Sequence, residues 1–366
     1  MIRVGLVGCG TIGLAHSLAL KAIIRAGHAD AAVVATHDVD RGRADAFARA
    51  HEGATAATTV DDLLDAVDAV WVCTPTSSHR DIVERAAARG VAVFCEKPLA
   101  PTLADAEAMC AAVAAAGVPA QVGLVLRTSP PFVALRDLLA DRRFGPVMSV
   151  VFRDDQFFPI QGHYGSTWRA DAAVAGAGTL LEHSIHDVDA LRWCVDEIDD
   201  VVAAATAGFA GHEGIEDVAT VLLRFAGGAV GTLTSVWHAV LSRPSTRRVE
   251  VLCRDGFVWL DDDFAGPVHV ETSDGARTID VDFAPWVHEL PGLEADVFLP
   301  VKHYATADRG FLDALASGAP PDPGLGEGLV AHRLVADAYS RATSRGKRQR
   351  RAPAERQGAQ RRRARP

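Results

Sequence analysis

The sequence lacks paired cysteines. Six cysteines occur among 366 residues, and no two of them stand in C-x-x-C spacing. Scattered single cysteines of this kind indicate reduced thiols rather than a disulfide framework. We therefore expect mostly buried thiols in a cytoplasmic protein. The six positions are Cys9, Cys73, Cys95, Cys110, Cys194 and Cys253.

Long apolar runs are also missing. Hydrophobic residues make up 49% of the chain, yet none of their runs reaches the length of about 18 residues that a transmembrane helix needs. The first predicted strand begins at residue 2, with no charged leader and apolar core before it. We expect neither a membrane span nor a signal peptide, and hence a cytoplasmic location.

A surplus of positive charge is absent from most of the chain. Residues 341–366 hold eleven Lys or Arg and one acid, whereas the whole chain has a formal net charge of −10. The remainder is thus near −20, which argues against nucleic-acid binding by the body of the protein. The tail, 343–366, is basic, lacks apolar periodicity and is predicted to be disordered. It is either a solvated tail without further function or a segment that touches RNA or a membrane surface.

The length fits two domains, each large enough to bury its own core. Strands and helices alternate through the first third of the chain. This alternation predicts six strands in a doubly wound, Rossmann-type α/β domain at 1–122, with the last strand at 120–126. Consecutive strands farther along, including a hairpin over 218–237, predict an antiparallel sheet in an α+β domain at 123–342.

Three glycines follow the first predicted strand, at 2–7, and lead into a helical pattern. In this context Gly8 permits a tight bend, and Gly10 lets the backbone approach a pyrophosphate. Gly13 lets the helix lie close to the strand. The N–H groups at the start of the helix would then meet the pyrophosphate. The segment therefore predicts a dinucleotide-binding turn.

An acid, Asp38, ends the next predicted strand at about the distance expected for a ribose ligand. Its carboxylate would accept hydrogen bonds from the ribose hydroxyls and repel a 2′-phosphate, which favours NAD over NADP. Arg41 and Arg43 follow closely, and either one beside a phosphate would favour NADP instead. The alternative role for Asp38 is an N-cap for the helix predicted at 41–50.

Two further predicted strands, at 69–72 and 91–94, end in polar segments. The carboxyl ends of parallel strands meet at one edge of the sheet, where ligands bind in open α/β folds. We therefore interpret the segments 73–79 and 95–98 as neighbours in a ligand site. The candidate cofactor-binding residues are Gly8, Gly10, Thr11, Ile12, Gly13, Asp38, Thr74, Pro75, Thr76, His79, Glu96 and Lys97.

Three motifs together resemble one enzyme family. They are Gly-Cys-Gly-Thr-Ile-Gly at 8–13 with His16 after it, Cys-Thr-Pro-Thr-Ser-Ser-His at 73–79 and Cys-Glu-Lys-Pro-Leu at 95–99. Up to about residue 342 the chain is similar to the Gfo/Idh/MocA oxidoreductases, the glucose-fructose oxidoreductase and inositol dehydrogenase family. The resemblance implies a second domain on a large, open, mostly antiparallel sheet, and an active site between the domains. It also implies a cis Lys97–Pro98 bond and homodimers or homotetramers formed through the second sheet.

A polar segment follows the glycine-rich residues 175–178. Its apolar spacing predicts one helix, on which Glu182 and His186, four residues apart, share a face. The family motif has an acid and a histidine at this spacing, but the usual acid is an aspartate. The extra methylene of Glu182 moves its carboxylate relative to that aspartate.

We hypothesise that Lys97, His186 and Glu182 are catalytic. His186 acts as the general base for a hydroxyl proton. Lys97 stabilises developing alkoxide charge and keeps His186 neutral through like-charge repulsion. Glu182 orients the imidazole or binds a neighbouring hydroxyl. The alternatives are a solvated lysine at position 97 and a satisfied buried histidine beside Asp189 at position 186.

Further polar residues in the second half are candidate substrate ligands. His183, adjacent to Glu182 and three residues before His186, would suit a metal, yet no second cluster supplies the rest of a zinc shell. We predict no metal site and expect His183 to face the cleft or a neighbouring strand. The candidate substrate residues are Arg127, Tyr164, Trp168, Arg169 and His183.

The motifs together predict an NAD(P)-dependent dehydrogenase or reductase. It would transfer a hydride between nicotinamide and a carbinol or ketone of a sugar, cyclitol or related polyol, with neither nucleic acid nor membrane as a partner. Two alternatives stay open. One is a dinucleotide- and sugar-sensing protein of the same fold without turnover, and the other is an NAD-assisted glycosidase that oxidises its substrate only transiently.

Overall fold

The computed structural model describes residues 1–162, 164–295 and 299–342. The predicted disordered tail at 343–366 lies outside the described residues. Within the described ranges, none of the helices is both long and apolar enough to cross a bilayer.

The first sheet consists entirely of parallel strands. Its members are β1 (Ile2–Val7), β2 (Ala31–His37), β3 (Thr55–Ala56), β4 (Ala69–Val72), β5 (Ala92–Cys95) and β6 (Ala120–Val122). Their spatial order is β3-β2-β1-β4-β5-β6. The order reverses between β1 and β4, which makes a crevice at the carboxyl ends of these strands. The sequence had predicted the last strand to reach residue 126, but it ends at Val122 and the chain turns into a 3₁₀ segment, Val125–Thr128.

Five helices alternate with these strands. They are α1 (Thr11–Arg25), α2 (Arg41–Ala50), α3 (Val60–Leu64), α4 (His79–Ala88) and α5 (Leu103–Ala116). Apolar residues of α3, α4 and α5 pack on one face of the sheet, and those of α1 pack on the other. This layered arrangement confirms the predicted doubly wound α/β fold.

The second sheet has eight described strands. They are β7 (Val147–Phe157), β8 (Ile198–Ala207), β9 (Val218–Phe225), β10 (Val230–His238), β11 (Thr246–Cys253), β12 (Phe257–Leu260), β13 (Val268–Thr272) and β14 (Gly275–Ile279). Their order is β14-β13-β12-β11-β7-β10-β9-β8, and every neighbouring pair is antiparallel except β7 with β10. The predicted hairpin corresponds to β9 and β10. The mostly antiparallel sheet is therefore confirmed.

Helices cover one face of the second sheet. The helices after β6 are α6 (Pro130–Ala140), α7 (Ala172–Ala175), α8 (Thr179–Glu182), α9 (Ile185–Cys194), α10 (Pro285–His288), α11 (Leu299–Ser317) and α12 (325–342). Buried residues of α6, α9 and α12 form one core with the inward side chains of the strands. Along β9, buried and exposed residues alternate, so the opposite face of the sheet is open.

The chain returns from the second sheet to the first. Phe311 and Leu312 of α11 pack in the same apolar cluster as Leu20 and Ile23 of α1. A helix from the last fifth of the chain thus covers one face of the nucleotide-type sheet. We propose that this structural unit contains α11 in addition to residues 1–122.

Candidate active site

The glycine turn between β1 and α1 leaves an open space in front of the helix. Gly8 has φ +94°, and a Cβ there would lie 2.6 Å from the Cys73 backbone. A Cβ on Gly13 would lie 2.0 Å from the carbonyl oxygen of Gly8. A Cβ on Gly10, in contrast, would meet no atom of the described residues within 4 Å. No described side chain caps the first N–H groups of α1, so a pyrophosphate fits this turn.

Asp38 lies at the edge of the same turn. Its carboxylate accepts hydrogen bonds from the backbone N–H of Cys9, at 2.7 Å, and of Asp40, at 2.8 Å. The N-cap of α2 is Asp40, so the N-cap alternative for Asp38 is wrong. Arg41 and Arg43 each pair with a nearby aspartate, at 3.0 and 3.6 Å. This placement favours a ribose with a free 2′-hydroxyl over a 2′-phosphate.

The turns after β4 and β5 are joined by His79. Its Nδ1 lies 2.9 Å from the carbonyl oxygen of Pro98, and its Nε2 lies 2.9 Å from that of Thr74. Both ring nitrogens therefore face backbone carbonyl oxygens, which favours a positioning role for His79 over direct cofactor contact. The hydroxyl oxygen of Thr74 is buried and has no partner among the described residues, as expected for a group that awaits a ligand.

A buried chain of charged groups holds Glu96. His16 lies between two carboxylates, with Nε2 3.1 Å from Glu96 and Nδ1 2.7 Å from Asp308. Burial by itself would lower the pKa of His16, but the two carboxylates raise it to about 10. Trp71 also donates to Asp308, at 2.8 Å. No sequence signal identified Asp308, because its partner lies 292 residues away in the chain.

Lys97 follows β5 and reaches the second half of the molecule. The Lys97–Pro98 bond is cis, as the family resemblance implied. The Nζ donates a hydrogen bond of 2.6 Å to the backbone carbonyl oxygen of Glu182. Burial lowers the pKa of Lys97 to about 8, while the Glu182 charge opposes that shift. A half-buried lysine with a protein acceptor does not fit the solvated alternative.

The helix predicted through residues 182 and 186 is broken. α8 ends at Glu182, His183 has φ −122° and ψ −62°, and α9 begins at Ile185. The inference that Glu182 and His186 share one helical face is therefore wrong. The break changes the direction of the chain between Glu182 and His186, which spacing alone did not indicate.

The carboxylate of Glu182 bridges the two halves of the molecule. Thr76 donates to one oxygen at 2.6 Å, and Arg169 Nε pairs with the other at 3.0 Å. The guanidinium of Arg169 also lies over the ring of Trp168, 4.1 Å from its centroid. Among the described contacts Glu182 makes none with His186, so the geometry does not support the predicted orienting role.

His186 is buried and chemically uncommitted. Its exposed fraction is 8%, and Nδ1 has no partner in the described part of the chain. Burial, followed by the positive charges of Lys97 and Arg247, lowers the pKa of His186 well below its ordinary value. The ring is therefore neutral at working pH, as a proton acceptor must be. The alternative of a satisfied histidine beside Asp189 does not fit.

Asp189 serves Arg127 instead. Arg127 Nε and Nη2 donate to the two Asp189 oxygens at 2.8 and 2.7 Å, and Nη2 also reaches Glu327 at 2.9 Å. The predicted substrate candidate Arg127 is thus held by acids between the 3₁₀ turn, α9 and α12. Its placement favours a structural role over contact with a substrate.

A buried arginine, Arg247, supports the part of the site that belongs to the second half of the molecule. Sequence analysis did not identify it. Arg247 on β11 donates to Asp187 at 2.6 Å and to Asp263 at 2.7 Å, and it stands opposite Asp154 of β7 in the sheet register. Burial raises the pKa of Asp187 to about 7, and the nearby Asp154 adds to that shift. One signal was available, since Arg247 falls in phase with Val249 and other buried residues of β11.

Two remaining candidates also lie at this site. Burial raises the pKa of Tyr164, and the charges of Arg247 and Arg169 act on its hydroxyl. His183 Nε2 lies 3.1 and 3.0 Å from the two oxygens of Asp154. The described residues contain no group of three or more His, Cys, Asp or Glu side chains arranged to hold a metal ion.

Two family models match this chain, and known proteins are similar to it. A family model described as "Oxidoreductase family, NAD-binding Rossmann fold" matches residues 2–124, and the GFO/IDH/MocA C-terminal domain model matches residues 132–259. An inositol 2-dehydrogenase of Rhizobium meliloti is 30% identical over 94% of this chain and 97% of its own. A 1,5-anhydro-D-fructose reductase of Ensifer adhaerens is 34% identical over 63% of this chain and 68% of its own. The crystal structure of an oxidoreductase domain protein from Kribbella flavida has a TM-score of 0.81 and 28% identity, and the match covers 94% of this chain and 98% of that one.

Proposed function

The chain belongs to the GFO/IDH/MocA oxidoreductase family, and from this premise we propose that it is an NAD-dependent dehydrogenase or reductase of a sugar, cyclitol or related polyol. One observation carries the proposal. Lys97, at the end of a nucleotide-sheet strand, donates to the second half of the molecule, and its charge acts on the neutral ring of His186. A cation at the carboxyl end of the nucleotide sheet thus acts on a neutral base from the second half of the molecule.

The residues present fit NAD. The turn at Gly10 and the uncapped start of α1 would hold the pyrophosphate, Asp38 would hold the ribose, and Thr74 would offer its unpartnered hydroxyl. The bound NAD supplies the acceptor for the carbinol hydride, and its reduced form supplies the donor for the reverse reaction. The paired states of Arg41 and Arg43 support NAD over NADP.

Side chains of the protein transfer the hydroxyl proton of the substrate. His186, whose ring is neutral, accepts the hydroxyl proton of the carbinol during oxidation and returns it during reduction. The Lys97 ammonium stabilises the oxygen as negative charge develops on it. The same charge keeps His186 from protonating in advance. Glu182 binds Thr76 and Arg169 instead of the imidazole, so we propose that it holds the two halves of the site together.

A nicotinamide absorbance screen tests the proposal. Purified protein is incubated with NAD or NADP and a panel of polyols, cyclitols, sugars and their keto forms. We expect reduction of NAD with at least one carbinol and slower or no reduction of NADP. Cofactor binding without any absorbance change across the panel would contradict the proposal and support a sensor. Glycoside cleavage without net NADH would support the glycosidase alternative.

We further propose that the protein forms a homodimer or homotetramer through the open face of the second sheet. That face exposes apolar side chains where a monomer would expose polar ones, among them Val151, Leu222 and Leu252. A second copy of the same face would cover them. Light scattering should then give a multiple of 38.7 kDa, and a purely monomeric mass would contradict the assembly. The six unpaired cysteines support a cytoplasmic location.

A further inference from the structure

His183 stands at the break between α8 and α9 and is held from one side only. Its Nε2 lies 3.1 and 3.0 Å from the oxygens of Asp154, a fully buried residue of β7. Ser184 also donates to this carboxylate, at 3.0 Å. The carboxylate is therefore fixed, and it fixes the imidazole in turn, as an aspartate does behind a catalytic histidine.

The contacts determine which ring nitrogen of His183 carries the hydrogen. Arg247 Nη2 lies 3.2 Å from the same Nε2, and a guanidinium only donates. The Nε and Nη1 groups of Arg247 are bound by Asp187 and Asp263, and its Nη2 also lies 3.6 Å from an Asp154 oxygen. Both Asp154 oxygens lie closer to the His183 Nε2 than Nη2 does, and a carboxylate is the stronger acceptor for an N–H. The Nε2 hydrogen thus belongs in the bond to Asp154. The lone pair then stands on Nδ1.

This Nδ1 is an open acceptor. Within the described ranges it has no hydrogen-bond partner, and the side chain retains 14% of its exposure. Burial, together with the charges of Arg247 and Lys97, lowers the pKa of His183 well below its ordinary value. The ring is neutral, so it binds a donor such as a hydroxyl and does not attract a carboxylate or a phosphate. Lys97 Nζ binds the carbonyl oxygen of Glu182, the residue before His183, at 2.6 Å, and the backbone N–H of His186 bonds to the carbonyl oxygen of His183. The charge of Lys97 acts on both rings.

Resting on the proposed function, we infer that His183 determines specificity by accepting a hydrogen bond from the hydroxyl next to the carbinol that is oxidised. His186 takes the proton of the reacting hydroxyl, and His183 binds its neighbour. The substrate class is therefore a vicinal diol whose second hydroxyl is free. Replacing that hydroxyl by hydrogen or methoxy removes the donor and leaves a buried acceptor unpaired.

Two substitutions of His183 distinguish the acceptor at Nδ1 from the contact between Nε2 and Asp154. In His183→Gln the amide group extends to the place of Nε2, so the contact to Asp154 stays and the acceptor at Nδ1 is lost. In His183→Asn the amide oxygen replaces Nδ1, so the acceptor stays and the contact is lost. The matched control is His51→Asn, at a buried histidine that bonds to Ser17 away from the cleft.

The experiment compares kcat/KM for the most rapidly oxidised compound of the panel with kcat/KM for its monodeoxy analogues at both flanking carbons. For the wild type we expect a loss of about 10²-fold at one flanking carbon, from a buried acceptor left unpaired. In His183→Gln the ratio of kcat/KM between parent and deoxy analogue should be less than about fivefold. The substitution lowers kcat/KM only for the parent compound, which alone carries the hydroxyl. His183→Asn and His51→Asn should keep the wild-type ratio. NAD binding, followed by fluorescence, should be equal in all four proteins.

Three results would overturn the inference. One is a wild type that oxidises both deoxy analogues as fast as the parent. Another is a His183→Gln enzyme in which kcat/KM falls by the same factor for the parent compound and for its deoxy analogue. The third is a His183→Asn enzyme that loses discrimination while His183→Gln retains it, because the contact to Asp154 would then be what matters. Absence of turnover with every compound, despite NAD binding, would instead reject the proposed function itself.

Discussion

The two sides of the cleft present different chemical groups, backbone on one side and side chains on the other. On the nucleotide side, the turn at Gly8, Gly10 and Gly13 offers backbone N–H groups and empty space. On the opposite side, Arg247, Asp154 and their partners interlock side chains from two strands and a helix. Backbone N–H groups can bind a ligand whatever the side chains are. Recognition of one particular substrate needs side chains.

The two sides also contribute differently to the stability of the fold. The glycine turn leaves room for a ligand and contributes few side-chain contacts of its own. The Arg247 network, in contrast, is fully buried and joins the sheet to α9, which carries His186. We therefore expect substitutions on the nucleotide side to affect binding, and substitutions on the opposite side to affect catalysis and folding.

The largest effect is expected for His186→Gln. Removing the general base should lower kcat for oxidation by about 10²- to 10⁴-fold, because proton transfer by a positioned group contributes that much. Steady-state kinetics with a substrate from the panel measures it, with the NAD affinity as the control. A kcat within threefold of the wild type would show that His186 is not the base.

Arg247→Met should lower the free energy of unfolding by about 3–5 kcal/mol, because it leaves buried carboxylates without their cation. Urea unfolding at neutral pH measures the difference. Arg248→Met is the matched control, since its side chain is partly exposed and pairs only at the surface. Equal stability of the two variants would contradict a stabilising role for the Arg247 network.

Lys97→Met should lower kcat by about 10²- to 10³-fold, the usual cost of losing one donor to a developing oxyanion. The substitution keeps the length of the side chain and removes the charge together with the hydrogen bond to Glu182. Lys21→Met on α1 provides the control at the other lysine of residues 1–122. If kcat falls only a few fold, Lys97 does not stabilise the transition state.

The pH profile follows from the two pKa shifts. His186 is already neutral at neutral pH, because its pKa lies well below the ordinary value. Lys97, with a pKa lowered to about 8, loses its proton above that pH. Since the ammonium is the useful form, kcat/KM for oxidation should fall about tenfold per pH unit above about 8. A rise through the same range would make neutral Lys97 the base instead.

The smallest effect concerns Gly10→Ala. A Cβ there meets no described atom within 4 Å, so the melting temperature should stay within about 2 °C of the wild type. The methyl group would, however, occupy space in front of the turn, and NAD should bind about tenfold more weakly, the equivalent of one lost hydrogen bond. Calorimetric titration with NAD measures this. Unchanged affinity would place the pyrophosphate elsewhere.

Sequence reasoning succeeded where a residue's role follows from its neighbours in the chain. The strand, glycine turn and helix at 2–25 and the polar end of β5 were predicted because each motif is local. It failed at Glu182 and His186, where a helix of uniform spacing was assumed and the chain breaks at His183. That break has no punctuating glycine or proline, and the fold imposes it through contacts of His183 with two strands.

By itself, the sequence determined the class of the fold, the dinucleotide turn and the identity of the lysine and histidine that we propose as catalytic. Only the tertiary structure decided which groups support them. Asp308 holds His16, Glu182 binds Thr76 and Arg169, and Arg247 gathers three aspartates. The physical reason is distance along the chain. Backbone conformation and apolar period are set by near neighbours, whereas the pairing of buried charges depends on which distant segments fold against one another.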